Sequence, residues 1–159
     1  MVSQRTIEIV KATAPIIKEK GEEITTRMYQ IAFAERPDYK RGFETTWMQR
    51  LDGGDQAHKL AASVYAYATH IDRLDELATA VEKIAHRHVE TRILPEQYEL
   101  IGEKLLQAMK DVLQDAATDE VISAWAEAYA ALANIFIQKE KAIYKQEDQE
   151  LTERLAYGR

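Results

Sequence analysis

Apolar residues recur along this chain at intervals of three and four, as they do in helices that bury one face. Behind Ser3, which can cap a helix start, Ile7, Val10, Ala14 and Ile17 mark a first helix ending near Gly21. Ile24, Met28, Ile31 and Ala32 mark a second, which stops before Pro37. A short turn from Pro37 to Phe43 leads into an irregular segment, Glu44 to Asp55. Leu60, Val64, Tyr67, Ala68 and Ile71 form the next stripe, followed by Leu77, Val81, Ile84, Ala85 and His88. Pro95 suits a first helical position, and Tyr98, Ile101, Leu105, Ala108, Met109 and Val112 follow it. Thr118 can cap a long last helix carrying Val121, Ile122, Trp125, Tyr129, Leu132, Phe136 and Ile137. No run alternates strictly between apolar and polar, and Asp52-Gly53-Gly54-Asp55 sits in polar surroundings, so it reads as a loop. The pattern therefore predicts an all-α protein of six or more helices. Its end, Lys145 to Arg159, is mixed in charge with Leu151 and Leu155 one turn apart. We expect a domain over residues 1–146 and a short C-terminal extension over 147–159, helical or frayed.

Composition narrows the chemistry. A length of 159 residues suits one domain with its own core. The absence of cysteine excludes disulfides, a thiol nucleophile, and thiolate zinc or iron–sulfur sites. Twenty-one Lys and Arg against 27 Asp and Glu leave a net charge of −6. That balance argues against nucleic acid or an anionic membrane as the main partner. No basic start precedes an apolar run, and no stretch approaches the roughly 20 apolar residues of a span, so we expect no membrane span and a cytoplasmic protein.

Among the four histidines, His58, His70, His86 and His88, no two are three or four residues apart. No single helix can therefore offer a His pair to one metal ion, and His86 and His88 point about 200° apart. Glu-x-x-His, His-Glu-x-x-His, Gly-rich phosphate loops and Gly-x-Ser-x-Gly are all absent. His88 continues the apolar face of Val81, Ile84 and Ala85. Two readings fit it: a core histidine with satisfied ring nitrogens, or a metal ligand drawing its co-ligands from elsewhere. Haem would meet the second requirement, because the porphyrin supplies four nitrogens and one imidazole the fifth. Tyr29, Tyr98 and Tyr129 fall on or near apolar stripes, where a hydroxyl needs a partner. Glu140 follows Phe136 and Ile137 on the inward side of the last helix; it either reaches water at the stripe's edge or is buried with a partner.

Several local runs together resemble one family. They are Thr25-Thr26-Arg27-Met28-Tyr29, Phe43 after Pro37, Gln56 with Leu60 four residues on, and Ala85-His86-Arg87-His88. Tyr98 after Pro95, Ala124-Trp125-Ala126-Glu127-Ala128-Tyr129 and Phe136-Ile137-Gln138-Lys139-Glu140 extend the match. The chain resembles the bacterial single-domain haemoglobins that are similar to the globin domain of flavohaemoglobins, over roughly Ser3 to Tyr144. The resemblance implies a globin fold of six to eight helices around a haem pocket holding one haem b. It implies His88 as the metal ligand, with Phe43, Gln56, Leu60, Arg87 and Tyr98 beside it against the cofactor. Tyr29 is implied as the distal donor to a bound gas, and Glu140 with Tyr98 as the pair on the far side of the proximal imidazole, these three being the catalytic group. A carboxylate drawing on that imidazole would make it more electron-rich.

The implied ligand is dioxygen, with nitric oxide and carbon monoxide as further gases. The implied activities are reversible oxygen binding and nitric oxide dioxygenation. Flavohaemoglobins continue into a reductase where this chain stops, shortly after Tyr144, so turnover would need a separate NAD(P)H-dependent reductase. A haem-based gas sensor and a haem-free helical regulator are the alternatives on the same fold. Three features depart from the family: a longer segment between Phe43 and Gln56, Met28 where an aromatic is common, and Ala57 where a proline often follows the glutamine.

Overall fold

The computed structural model describes residues 2–38, 54–90 and 95–157. Phe43 and most of the expected irregular segment fall outside the described residues. Gln56 is described only as part of a helical backbone. Five long α-helices make up the described chain: α1 (Gln4–Glu35), α2 (Gly54–Thr69), α3 (Ala78–Glu90), α4 (Pro95–Leu113) and α5 (Asp119–Tyr157). Short 3-10 turns, Leu74–Leu77 and Gln114–Ala116, precede α3 and α5.

Helix α1 begins as its sequence demands. Ser3 Oγ accepts from the Thr6 backbone N–H at 3.2 Å, while the Ser3 N–H and hydroxyl and the Thr6 hydroxyl all donate to Glu127 of α5. The expected break at Gly21 is absent, and the first two predicted helices form one helix of 32 residues. Gly21 lies buried inside it, where a Cβ would stand 3.3 Å from the Ala61 Cβ of α2. The glycine is thus explained by close packing of two helices rather than by a left-handed cap. Thr25, one turn on, donates to the Ala57 carbonyl at 2.7 Å and ties the start of α2 to α1.

Most buried side chains form one core between α1, α2, α4 and α5, with Val10, Ile24, Met28, Tyr67, Met109 and Trp125 at its centre. Its polar atoms are paired: Tyr67 Oη donates to the Ala128 carbonyl at 2.7 Å, and Trp125 Nε1 to Thr13 Oγ1 at 2.9 Å. A second, smaller cluster joins α3 to α5 through Ala85, Val89, Phe136 and Ile143. Helix α3 packs on α5 and on the 3-10 turn before it; among the described residues its backbone comes at most marginally near α1, α2 and α4, and α4 reaches it through the Tyr98 side chain. The helix carrying His88 is therefore held apart from the helix carrying Leu60.

Helix α5 bears on the expectation of no membrane span. Between Asp119 and Ala156 it contains an 18-residue window of mean hydropathy 1.2, so by length and composition alone it could cross a membrane. The run is rich in alanine, and its largest apolar residues, Trp125 and Phe136, pack inside the protein. Past Ile143 the helix continues to Tyr157, with Tyr144, Leu151 and Leu155 exposed.

Replacing Gly21 with Val should force α1 and α2 apart and destabilise the protein by about 1–3 kcal/mol. Gly21→Ala, whose gain in helix propensity offsets a tight but small contact, should stay within about 1 kcal/mol of the parent. Urea denaturation of both variants checks this; equal stability of Gly21→Val and the parent would remove the close-packing explanation.

Candidate functional site

Helix α3 buries Ala85 and Val89, leaves His86 and Arg87 exposed, and holds His88 half-buried between those faces. The His88 ring lies 5.4 Å from the Phe136 ring and 5.8 Å from that of Tyr98, while the Tyr98 and Phe136 rings stack at 6.4 Å. Three helices therefore converge on one imidazole: α3 carries it, α4 brings Tyr98 and α5 brings Phe136 and Glu140.

Hydrogen bonds fix the protons. Tyr98 Oη donates to Glu140 Oε2 at 2.6 Å, and His88 Nδ1 lies 2.7 Å from the same hydroxyl. A hydroxyl has one proton to give, and a carboxylate can only accept. With the Tyr98 proton committed to Glu140, the His88 Nδ1 must be the donor to Tyr98 Oη. The ring lone pair then belongs to Nε2, the atom a metal would need. Burial lowers the His88 pKa from 6.5 to about 4, so the imidazole is neutral at neutral pH. Glu140 is 5% exposed and does not reach water at the stripe's edge. Burial raises its pKa, and the Tyr98 hydrogen bond partly opposes that. Burial and the Glu140 carboxylate together raise the Tyr98 pKa, so the phenol keeps its proton. Glu140 Oε2 is 3.8 Å from His88 Nδ1, too far for a hydrogen bond, so the carboxylate reaches the ring through Tyr98 and not directly.

Tyr29 is buried on α1 beside Phe33, with ring centroids 5.5 Å apart. It is near enough to Tyr129 of α5 to add to the upward shift that burial gives that phenol. Leu60 is half-buried on α2 against the main core. Arg87 is exposed on α3. The described structure thus brings His88, Tyr98 and Glu140 together, places Tyr29 and Leu60 on other helices, and leaves Phe43 and the Gln56 side chain outside what is described.

The chemistry of the donor set can be tested against haem. Among the described residues no three His, Cys, Asp or Glu side chains cluster to hold a metal ion unaided. A single imidazole with its lone pair on Nε2 has, among the described residues, no co-ligands for a bare metal ion. It fits a metal that arrives with four ligands of its own. Sequence reasoning placed Phe136 on an apolar stripe and expected a partner for the Tyr129 hydroxyl, without tying either to His88. The first flanks the imidazole, and the second donates to the Tyr98 backbone at 2.7 Å. The glycine at 102, against which Tyr129 rests, was the available signal.

The globin family profile matches residues 26–136. A flavohemoprotein of Oceanobacillus iheyensis is 44% identical over 151 residues, which cover 95% of this chain and 36% of the relative. The chain thus spans about a third of the length of the flavohemoproteins it matches. An engineered carbene transferase, built on a Rhodothermus marinus protein assigned as a nitric oxide dioxygenase, superposes with a TM-score of 0.84 at 29% identity, covering 93% of this chain and 99% of that one. A flavohemoglobin of Malassezia yamatoensis with bound FAD and heme gives 0.81 at 28% identity, covering 91% of this chain and 38% of that one.

A buried neutral histidine makes the cofactor-free chain sensitive to acid. The unfolded state takes up the proton near pH 6.5 and the folded state only near 4, so stability should fall across that window as pH drops, by at most about 3 kcal/mol. Glu140, raised in the folded state, acts in the opposite sense and offsets part of the loss. Denaturant titrations between pH 7 and 4 should show a flatter dependence for His88→Gln; an identical slope would place the proton uptake elsewhere.

Proposed function

This chain belongs to the globin family, and from that premise we propose that it holds one haem b through His88 and binds dioxygen reversibly. The observation that carries the reading is the line His88 Nδ1, Tyr98 Oη, Glu140 Oε2, which presents an Nε2 lone pair from a half-buried neutral ring. Haem, when bound, supplies an iron with one open position for a diatomic gas. On the proximal side, Tyr98 and Glu140 hold the imidazole tautomer and orientation and draw on its Nδ1 proton, which makes Nε2 a stronger donor. Phe136 limits rotation of the ring by packing against it. On the distal side, Tyr29 Oη would be the donor to a bound gas that carries partial negative charge. A hydrogen bond of that kind contributes about 1.5–3 kcal/mol, one to two orders of magnitude in affinity. By the family resemblance, Leu60 would keep the gas-binding space apolar, Phe43 and Arg87 would help to hold the macrocycle, and Gln56 would be a second distal group.

The same residues serve nitric oxide dioxygenation, in which dioxygen and nitric oxide become nitrate, and carbon monoxide is a competing ligand. The likeness to flavohemoproteins and to a protein assigned as a nitric oxide dioxygenase supports this second step. Repeated turnover requires one electron per cycle, which we assign to an NAD(P)H-dependent reductase. With such a reductase present, nitric oxide should be consumed well beyond one equivalent; consumption that stops at one equivalent leaves a binding protein only.

Two measurements test the site. The chain produced with ample iron and porphyrin precursor should show haem absorption bands that shift on adding dioxygen or carbon monoxide, and His88→Ala should lose them. A colourless parent, or an equally coloured His88→Ala, overturns the assignment. Tyr29→Phe should release dioxygen about 10–100 times faster; an unchanged rate transfers the distal role to another group.

A further inference from the structure

Ile143 of α5 is buried, and beyond it the helix runs on through residues 144–156 with every side chain exposed. At 1.5 Å per residue this arm is about 20 Å long. Its side-chain hydrogen bonds run along the arm itself: Gln146 donates to Glu150 at 3.1 Å, and the Thr152 hydroxyl to the Asp148 carbonyl at 2.9 Å. Helices of this length hold only marginally in water without a packed face. The arm does carry a face to pack. Tyr144, Leu151 and Leu155 are the large apolar side chains left exposed among the described residues. Their spacings of seven and four set them within about 40° of one another around the helix, so they form one stripe.

The residues beside the stripe select its partner. Glu147 and Arg154 stand along one edge, Lys145 and Thr152 along the other, and Asp148 lies on the stripe itself. Four carboxylates against two cations in residues 144–156 disfavour an anionic lipid surface, which rewards Lys and Arg beside an apolar face. A second copy running parallel would set Asp148 directly against Asp148, two like charges on one seam. A second copy running antiparallel avoids that conflict. It lays Tyr144 on Leu155 of the other copy and Asp148 opposite Leu151. It also brings like edges together, so Glu147 of each copy faces Arg154 of the other across the two-fold axis. The two helical bodies then lie at opposite ends of the paired arms and do not compete for space.

We infer that the arm of α5 is a self-association surface: two copies of this chain pair their arms antiparallel, covering the Tyr144, Leu151 and Leu155 stripe and joining Glu147 of each to Arg154 of the other. Three apolar side chains per copy make a contact smaller than the roughly 1,200–2,000 Å² of a stable interface. Asp148 opposite Leu151 weakens it further. The pair therefore forms and separates with concentration. None of these residues belongs to the proposed haem site, so the inference stands apart from that reading.

Sedimentation equilibrium of the full chain at low salt, up to about 1 mM, should show a reversible monomer–dimer equilibrium. Leu151→Glu should raise the dissociation constant at least about tenfold. Glu147→Arg and Arg154→Glu should each raise it about fivefold, because each sets like charges face to face twice in the dimer. The two reversals combined restore opposite charges and should return the constant to within about twofold of the parent. The substituted residues lie outside both buried clusters, so the variants keep the fold, which circular dichroism checks. A chain that stays monomeric at about 1 mM overturns the inference, whether or not it sediments with phosphatidylglycerol vesicles. A dimer that Leu151→Glu leaves intact forms through another surface and overturns it equally. A double reversal no tighter than the single ones overturns the antiparallel pairing.

Discussion

One line of hydrogen bonds, from the His88 ring through the Tyr98 hydroxyl to the Glu140 carboxylate, constrains the rest of this structure. A carboxylate that is 5% exposed is expensive to leave unpaired, and a neutral imidazole needs its one N–H satisfied. Each group answers the other through a phenol that burial keeps protonated. The arrangement requires three helices to meet at one point, and their packing follows from that. Helix α3 rests on α5 through Ala85, Val89, Phe136 and Ile143, and the first turns of α4 come close enough for Tyr98 to bridge them. The proton accounting leaves the lone pair on Nε2, so the chemistry of the site is fixed before any cofactor is considered.

The remaining helices hold a second group of side chains at a distance. Gly21 lets α1 and α2 approach across Ala61, and the Thr25 hydroxyl bonds the Ala57 carbonyl. These contacts place Tyr29 and Leu60 on a rigid pair of helices with a core of their own. Among the described residues the buried side chains form two clusters, and both include residues of α5. Membership of the globin family supports the proposal that His88 holds a metal and Tyr29 steadies a gas.

Much of this was legible in the sequence because much of it is local. Ser3 and Thr118 cap helices as their residue types suggested, each accepting a backbone N–H at 3.2 Å, and Pro95 opens α4. The stripes gave the all-α architecture, and His88 stood out because it continued an apolar face. Glu140 was anomalous for the same reason, but its partner came only from resemblance, since Tyr98 lies 42 residues away. Gly21 misled because a glycine after a helical stripe looks alike whether it ends the helix or admits a neighbour. The difference lies in Ala61, on another helix. Gly102 and Tyr129 are each unremarkable alone, and their meaning exists only once α4 and α5 are packed.

The account depends most on the claim that His88 is a neutral imidazole protonated at Nδ1. Nitrogen-15 NMR of the haem-free chain, labelled at histidine and recorded at pH 7, reads the ring tautomer directly. The structure requires a protonated Nδ1 and an unprotonated Nε2 for His88, with the pattern lost in Tyr98→Phe. An imidazolium, or a ring protonated at Nε2, would contradict it.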